Sequence, residues 1–118
     1  MTYFLVFVGG GLGSLLRYIL SLLTAKVYDG AYPLATFISN LLSCLVLVII
    51  VELFLKSGVD NKIVKAGLII GFCGGFSTFS TFSFETIALI KNGNHVVAVG
   101  NVIISVVVCL SLIYKLTK

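Results

Sequence analysis

The sequence has no tryptophan, one proline and one histidine, and only 10% of its 118 residues carry a charge. The shortage of charge excludes most. A soluble domain is nearer a quarter charged, because a wetted surface has to cover its core. Eight basic and four acidic residues are too few for that covering, which rules out an ordinary soluble enzyme and a disordered tail. The net charge of +4 and the pI near 9.1 do not describe a nucleic-acid surface, since the basic residues are scattered and form no stripe or cluster. The lone histidine, His95, falls in a predicted loop without a neighbouring nucleophile, so no enzymatic activity is expected. Cys44, Cys73 and Cys109 form neither a metal-type pair nor a disulfide framework. Each reads as a small buried residue.

What the chain has in quantity is hydrophobicity, 59% of residues with a mean hydropathy of +1.21. A bilayer core about 30 Å thick needs roughly 20 apolar residues per helical crossing, so four crossings use about 80 residues and leave short loops. Four runs answer to this, over residues 3–23, 33–51, 66–90 and 96–114. The first lacks the basic leader and small-residue cleavage site of a signal peptide and reads as a retained span. Helix is the expected form of each, because backbone amides and carbonyls must be satisfied within the lipid. Pro33 is expected in a first helical turn, where its missing amide hydrogen costs nothing. No segment is left for a second domain or a linker, so residues 1–118 read as a single integral membrane domain in contact with the lipid bilayer. Four crossings put both ends on one side, with Lys56, Lys62, Lys65, Lys115 and Lys118 against Lys26 and Lys91 on the other. That bias favours cytoplasmic ends.

In so apolar a chain the informative residues are those that do not belong in lipid. Arg17 interrupts the first span, and either snorkels to a headgroup or lines an aqueous approach that draws anions. Glu85 poses the same question in the third span, and a pair between the two is one answer. Asn40 sits inside the second span, with Thr36 and Cys44 four residues to either side on one face. Asn101, Ser105 and Cys109 repeat the pattern in the fourth. Such stripes act as interhelical glue or as the lining of a polar path. Gly9 with Gly13, Gly10 with Ser14, and Gly67 with Gly71 and Gly75 have the spacing that lets helices approach closely. In the third span Gly74-Gly75 is followed by Phe76-Ser77-Thr78-Phe79-Ser80-Thr81-Phe82-Ser83. Adjacent glycines weaken a helix, and hydroxyls can satisfy the backbone groups that a break sets free. Broken helices within a membrane recur at ion sites, carbonyls holding cations and half-helix N-termini facing anions.

These residues resemble a known family. The Gly9-Gly10-Gly11-Leu12-Gly13 string leading to Arg17-Tyr18, the mid-span Asn40 and the Gly74–Ser83 string are similar to those of the Fluc/CrcB fluoride channels, over essentially the whole chain. The resemblance implies an all-α membrane protein with four transmembrane helices, the third broken at mid-membrane, assembled as an antiparallel dual-topology dimer. It implies a fluoride-selective channel in the cell membrane that lowers cytoplasmic fluoride by passive export. A structural sodium ion would sit at the dimer centre on the backbone carbonyls of Gly74 and Ser77. The fluoride pore would take Asn40, Phe79, Phe82, Ser80 and Thr81, with Asn101 standing where the family's polar track often starts with a tyrosine, and Ser105 following it. Arg17 and Glu85 would stand at the vestibule. The lysine bias leaves open one subunit of a heterodimer with a paralogue as an alternative to a homodimer. Two other classes are a small multidrug-resistance-type proton-coupled exporter, which needs a carboxylate in its first span where this chain has Arg17, and a non-transporting accessory subunit, which needs no polar stripes.

Overall fold

The structure, a computed structural model, describes residues 1–117. Lys118, one of the lysines counted above, lies outside the described residues. Four helical stretches are long and apolar enough to cross a membrane: Thr2–Val27, Leu34–Ser57, Lys62–Lys91 and His95–Leu116. The first two are α1 and α2. The third is composite, with α3 (Lys62–Lys65), a π-helical segment (Ala66–Cys73), α4 (Gly74–Phe76) and α5 (Phe79–Lys91), and the last stretch is α6. The protein is all-helical, as four apolar runs require.

The helices outrun the apolar runs from which they were expected. α2 continues through Glu52 and Lys56 to Ser57, because intrahelical hydrogen bonding continues past the apolar boundary until a residue that favours another backbone stops it. Gly58 does so, with φ 68°, a left-handed conformation that glycine adopts without steric cost. Pro33 stands one residue outside its expected place: it precedes the helix, and its carbonyl accepts the Phe37 amide at 3.2 Å. At the other tight connection, Gly93 with φ 83° lets the amides of Gly93 and Asn94 return to the carbonyls of Ile90 and Leu89. That Schellman closure satisfies the end of α5 and delivers the chain directly into α6.

The interior is as polar as it is apolar. Val48, Ile50, Cys73, Phe76, Leu89 and Ala98 are buried, and so are Thr36, Ser39, Ser43, Thr86, Asn101 and Ser105. Leucine, isoleucine, valine or phenylalanine side chains are instead exposed along each of the four membrane-spanning stretches. This inversion follows from lipid as the solvent: tails are as apolar as leucine, so helices associate through close packing and interhelical hydrogen bonds.

Close packing is carried by α1 against the third stretch. A side-chain carbon added to Gly9 would fall on the Gly67 carbonyl, and one added to Gly13 would fall on the Phe72 carbonyl. One on Gly71 would meet the Val6 carbonyl at 2.8 Å. The glycines set the distance between these helices. Gly9→Ala and Gly13→Ala are expected to destabilise by about 1–3 kcal/mol, the range for forced overpacking. Gly11→Ala and Gly100→Ala, where an added carbon meets nothing within 4 Å, should be neutral or slightly stabilising because alanine favours helix. Thermal unfolding midpoints in one detergent would compare all four.

Candidate functional site

The third stretch leaves helical geometry at two residues. Ser77 has φ −81°, ψ 158° and Thr78 has φ −151°, ψ 118°, both extended. Backbone groups released by an interruption need other partners, and side chains of α1, α2 and the interruption itself supply several of them. The Thr78 amide donates to Asn40 Oδ1 at 2.7 Å, and Asn40 Nδ2 donates back to the Thr78 carbonyl at 3.3 Å. The Thr78 hydroxyl accepts the Thr81 amide at 3.2 Å as the N-cap of α5. On the other side of the interruption the Cys73 carbonyl accepts the Ser77 amide at 3.0 Å, the Ser77 hydroxyl at 2.8 Å and the Ser43 hydroxyl at 2.9 Å. Arg17 Nε donates to the Gly75 carbonyl at 3.2 Å, placing a cation at the C-terminal, electronegative end of α4.

The diversion has a consequence for two particular carbonyls. In an unbroken helix the Thr78 amide would bond the Gly74 carbonyl, and the Thr81 amide would bond the Ser77 carbonyl. Here Asn40 takes the first donor and the Thr78 hydroxyl takes the second. The carbonyls of Gly74 and Ser77 are thereby released from their regular donors.

Beside the interruption lies a cleft of about 300 Å³, lined by Asn40 and Cys44 of α2, Ser77, Thr78, Phe79 and Phe82, and Ser105 and Cys109 of α6. The rings of Phe79 and Phe82 are 5.9 Å apart and tilted by 35°. Phe79 is 79% exposed despite its large apolar ring. A second cleft of about 150 Å³ gathers Arg17, Thr36, Ser39, Thr81 and Glu85. Arg17 and Glu85 share this cleft without an ion pair among the described residues. Glu85 Oε1 is buried there with no hydrogen-bond partner among the described residues.

A family model described as CrcB-like protein, Camphor Resistance (CrcB), matches residues 4–115. The chain belongs to the CrcB-like family. Proteins named fluoride-specific ion channel FluC are similar over most of the chain. The one from Azobacteroides pseudotrichonymphae is 44% identical over 104 residues, which are 88% of this chain and 83% of the relative. That from Clostridium perfringens strain 13 is 40% identical over 86% of this chain and 79% of its own length. That from Geotalea uraniireducens is 39% identical over 92% and 88%. The named relatives are ion channels, and the family is not one of enzymes.

The CrcB-like chain distributes its conspicuous residues unevenly. Asn40, Phe79, Phe82 and Ser105 meet in the larger cleft, whereas Thr81 faces the smaller one with Arg17 and Glu85. The Ser80 hydroxyl lies 3.3 Å from that of Thr78, on the exposed side of the interruption. Asn101 is 1% exposed and bonded at both polar atoms: Nδ2 donates to Thr86 Oγ1 at 3.0 Å and Oδ1 accepts from Ser105 at 3.3 Å. It ties α6 to α5. The Thr36, Asn40 and Cys44 row divides likewise, Thr36 turning to the smaller cleft and the other two to the larger.

Several residues that hold the site were not singled out by sequence. Ser39 and Ser43 are buried beside Asn40 on α2, and with Thr36 they have the three- and four-residue spacing of one helical face. That signal was present in the sequence. Thr86 carried no comparable mark, whereas the Thr78 cap belongs to the hydroxyl string singled out above. Tyr32 Oη is buried without a hydrogen-bond partner among the described residues, and burial pushes its phenol up from the ordinary value, so it stays a neutral donor.

Asn40→Leu removes both partners of the Thr78 backbone at once. Each orphaned group costs about 1–3 kcal/mol, so a large loss of thermal stability is expected, together with faster hydrogen exchange at the Thr78 amide. Ser43→Ala should cost less, about 1 kcal/mol, because the Cys73 carbonyl keeps Ser77. Unfolding midpoints and exchange rates measured by mass spectrometry check the order.

Proposed function

We propose that this chain is a fluoride-selective channel of the cell membrane, working as an antiparallel dual-topology dimer and lowering cytoplasmic fluoride by passive export. The observation that carries the reading is the interruption at Ser77–Thr78 opening onto a cleft lined by an amide, hydroxyls and two phenylalanine rings. The relatives named as fluoride-specific channels support the choice of ion.

Fluoride is small and strongly hydrated, so a path for it must replace water with donors while admitting little else. Asn40 has two amide hydrogens. One is engaged by the Thr78 carbonyl, which orients the group and leaves the other for the cleft. The positive ring edges of Phe79 and Phe82 complete the donor set, while Ser105, whose hydrogen goes to Asn101, borders the cleft with its oxygen. Ser80 borders the same track from the exposed side, and Arg17, Thr81 and Glu85 form its vestibule, the arginine attracting anions. In this reading Asn101 holds α5 and α6 at the spacing the track needs.

The released carbonyls of Gly74 and Ser77 suit a structural sodium ion, since hard cations take oxygen ligands and need no carboxylate. When bound, the ion supplies positive charge at the centre of the dimer. The chain's own part is to keep the Thr78 and Thr81 amides occupied elsewhere, so that these two oxygens lack their helical donors. The five-to-two lysine bias favours a second reading, pairing with a paralogue of opposite bias.

Liposomes holding purified protein should release fluoride and not chloride, each followed with its own electrode. Phe79→Ile and Phe82→Ile preserve most apolar volume but remove the ring edge, and flux should fall by orders of magnitude while elution from a sizing column is unchanged. Phe84→Ile, at an exposed ring outside both clefts, should retain wild-type flux. Wild-type flux in both cleft variants would exclude a role for the ring edges.

Replacing sodium by N-methyl-D-glucamine throughout purification should lower the melting temperature of the dimer and reduce flux, with recovery on adding sodium back. Unchanged melting and flux after exhaustive removal would exclude a structural cation.

A further inference from the structure

The larger cleft is lined by two kinds of donor with different chemistry. Asn40 brings a hard amide donor from α2, and Ser105 brings from α6 a hard hydroxyl oxygen whose hydrogen goes to Asn101. One helical turn further along the same helices come Cys44 and Cys109, which line the same cleft. Both cysteines are free and half-buried, so neither is sealed in the interior. Both side chains reach that cleft, one from each helix. Thiols are poor partners for a hard anion and strong ones for soft metal ions. The pair therefore adds nothing to the fluoride track described above, and its chemistry suits a different ligand.

We propose that Cys44 and Cys109 form a two-thiol binding site for a soft divalent cation of the mercuric type, seated in the cleft between α2 and α6. The rest of the lining is uncharged, Asn40, Thr78, Phe79, Phe82 and Ser105 among it. A bound ion must therefore be neutralised by its own ligands, because net charge in a low-dielectric site is costly. Two thiolates and one divalent ion make a neutral complex. In forming it two S–H bonds break, both protons pass to water through the cleft, and two sulfur–metal bonds form, with no change of oxidation state. A monovalent ion on the same pair would leave a negative charge behind. Cys73 is not a third ligand: it is 5% exposed in the π-helical segment and does not line the cleft. The binding site stands apart from the fluoride reading. Its consequence, that a metal-occupied cleft stops ion passage, rests on that reading.

The probe is mercuric ion added to purified protein in detergent, followed by native mass spectrometry under a challenge of millimolar monothiol. One ion per chain should survive the challenge in the wild type and in Cys73→Ser. Cys44→Ser and Cys109→Ser should each lose it at least a hundredfold more readily, since two ligands on one framework act with a high effective concentration. A second measurement needs no variant. Bound mercury should protect both Cys44 and Cys109 of the wild type from alkylation by N-ethylmaleimide and leave any Cys73 labelling unchanged. Equal retention in Cys44→Ser or Cys109→Ser, or protection of one cysteine alone, would overturn the site. In liposomes, block of fluoride release that dithiothreitol reverses is expected in the wild type and in Cys73→Ser, and not in Cys44→Ser or Cys109→Ser. Wild-type liposomes that hold the metal and never release fluoride would count against the channel reading while leaving the thiol site intact.

Discussion

The reciprocal pair between the Asn40 amide and the Thr78 backbone is the contact on which the site depends. A broken helix in a membrane is unstable unless the groups set free are recaptured, because lipid provides no water to do it. One asparagine recaptures an amide and a carbonyl of the same residue, at 2.7 and 3.3 Å. Its effect extends to either side. By occupying the Thr78 amide it releases the Gly74 carbonyl, and by holding Thr78 extended it lets that residue's hydroxyl cap α5 and release the Ser77 carbonyl. The same contact aligns α2 with the interruption, so that the cleft has one wall from each.

Around that contact the molecule is held by polar bonds inside and glycine contacts at its flank. Ser43 reaches the Cys73 carbonyl and Arg17 reaches the Gly75 carbonyl, so both ends of α4 are tied to other helices. Asn101 bridges Thr86 and Ser105 and keeps α5 against α6. These bonds replace the hydrophobic core of a soluble protein. The surface ion pair of Lys65 with Asp60, 2.8 Å long and solvent-facing on both sides, adds little by comparison. The π-helical segment Ala66–Cys73 sits where Gly67 and Gly71 press against α1. Its wider turn, a form that recurs near functional sites, brings the Cys73 carbonyl to the place where three donors converge.

Much of this was legible in the residues themselves. Four apolar runs with so few charges admit little except membrane helices, and Arg17, Asn40 and the Gly74–Ser83 string stood out because lipid penalises them. The glycine spacings on the first and third runs correspond to helices in backbone contact at Gly9, Gly13 and Gly71. Helix ends were less legible, since α2 runs to Ser57 until Gly58 stops it, well beyond the apolar boundary. Polar stripes were the weakest guide. Positions four apart share a face only approximately, and the row of Thr36, Asn40 and Cys44 splits between two clefts because each step of four overshoots a full turn.

By itself the sequence determined the number of spans, the family and the residues that lipid cannot tolerate unpaired, because these follow from composition, run length and motif. Which partner each of those residues takes was decided only by tertiary structure. Asn101 carries the same amide as Asn40, yet it is buried as a bridge between α5 and α6 while Asn40 lines the cleft. The difference lies in what packs opposite: Thr86 presents a hydroxyl to one, and the non-helical backbone of Thr78 presents an amide and a carbonyl to the other. A side chain's hydrogen-bonding capacity is local, whereas its partner is set by helix packing across tens of residues.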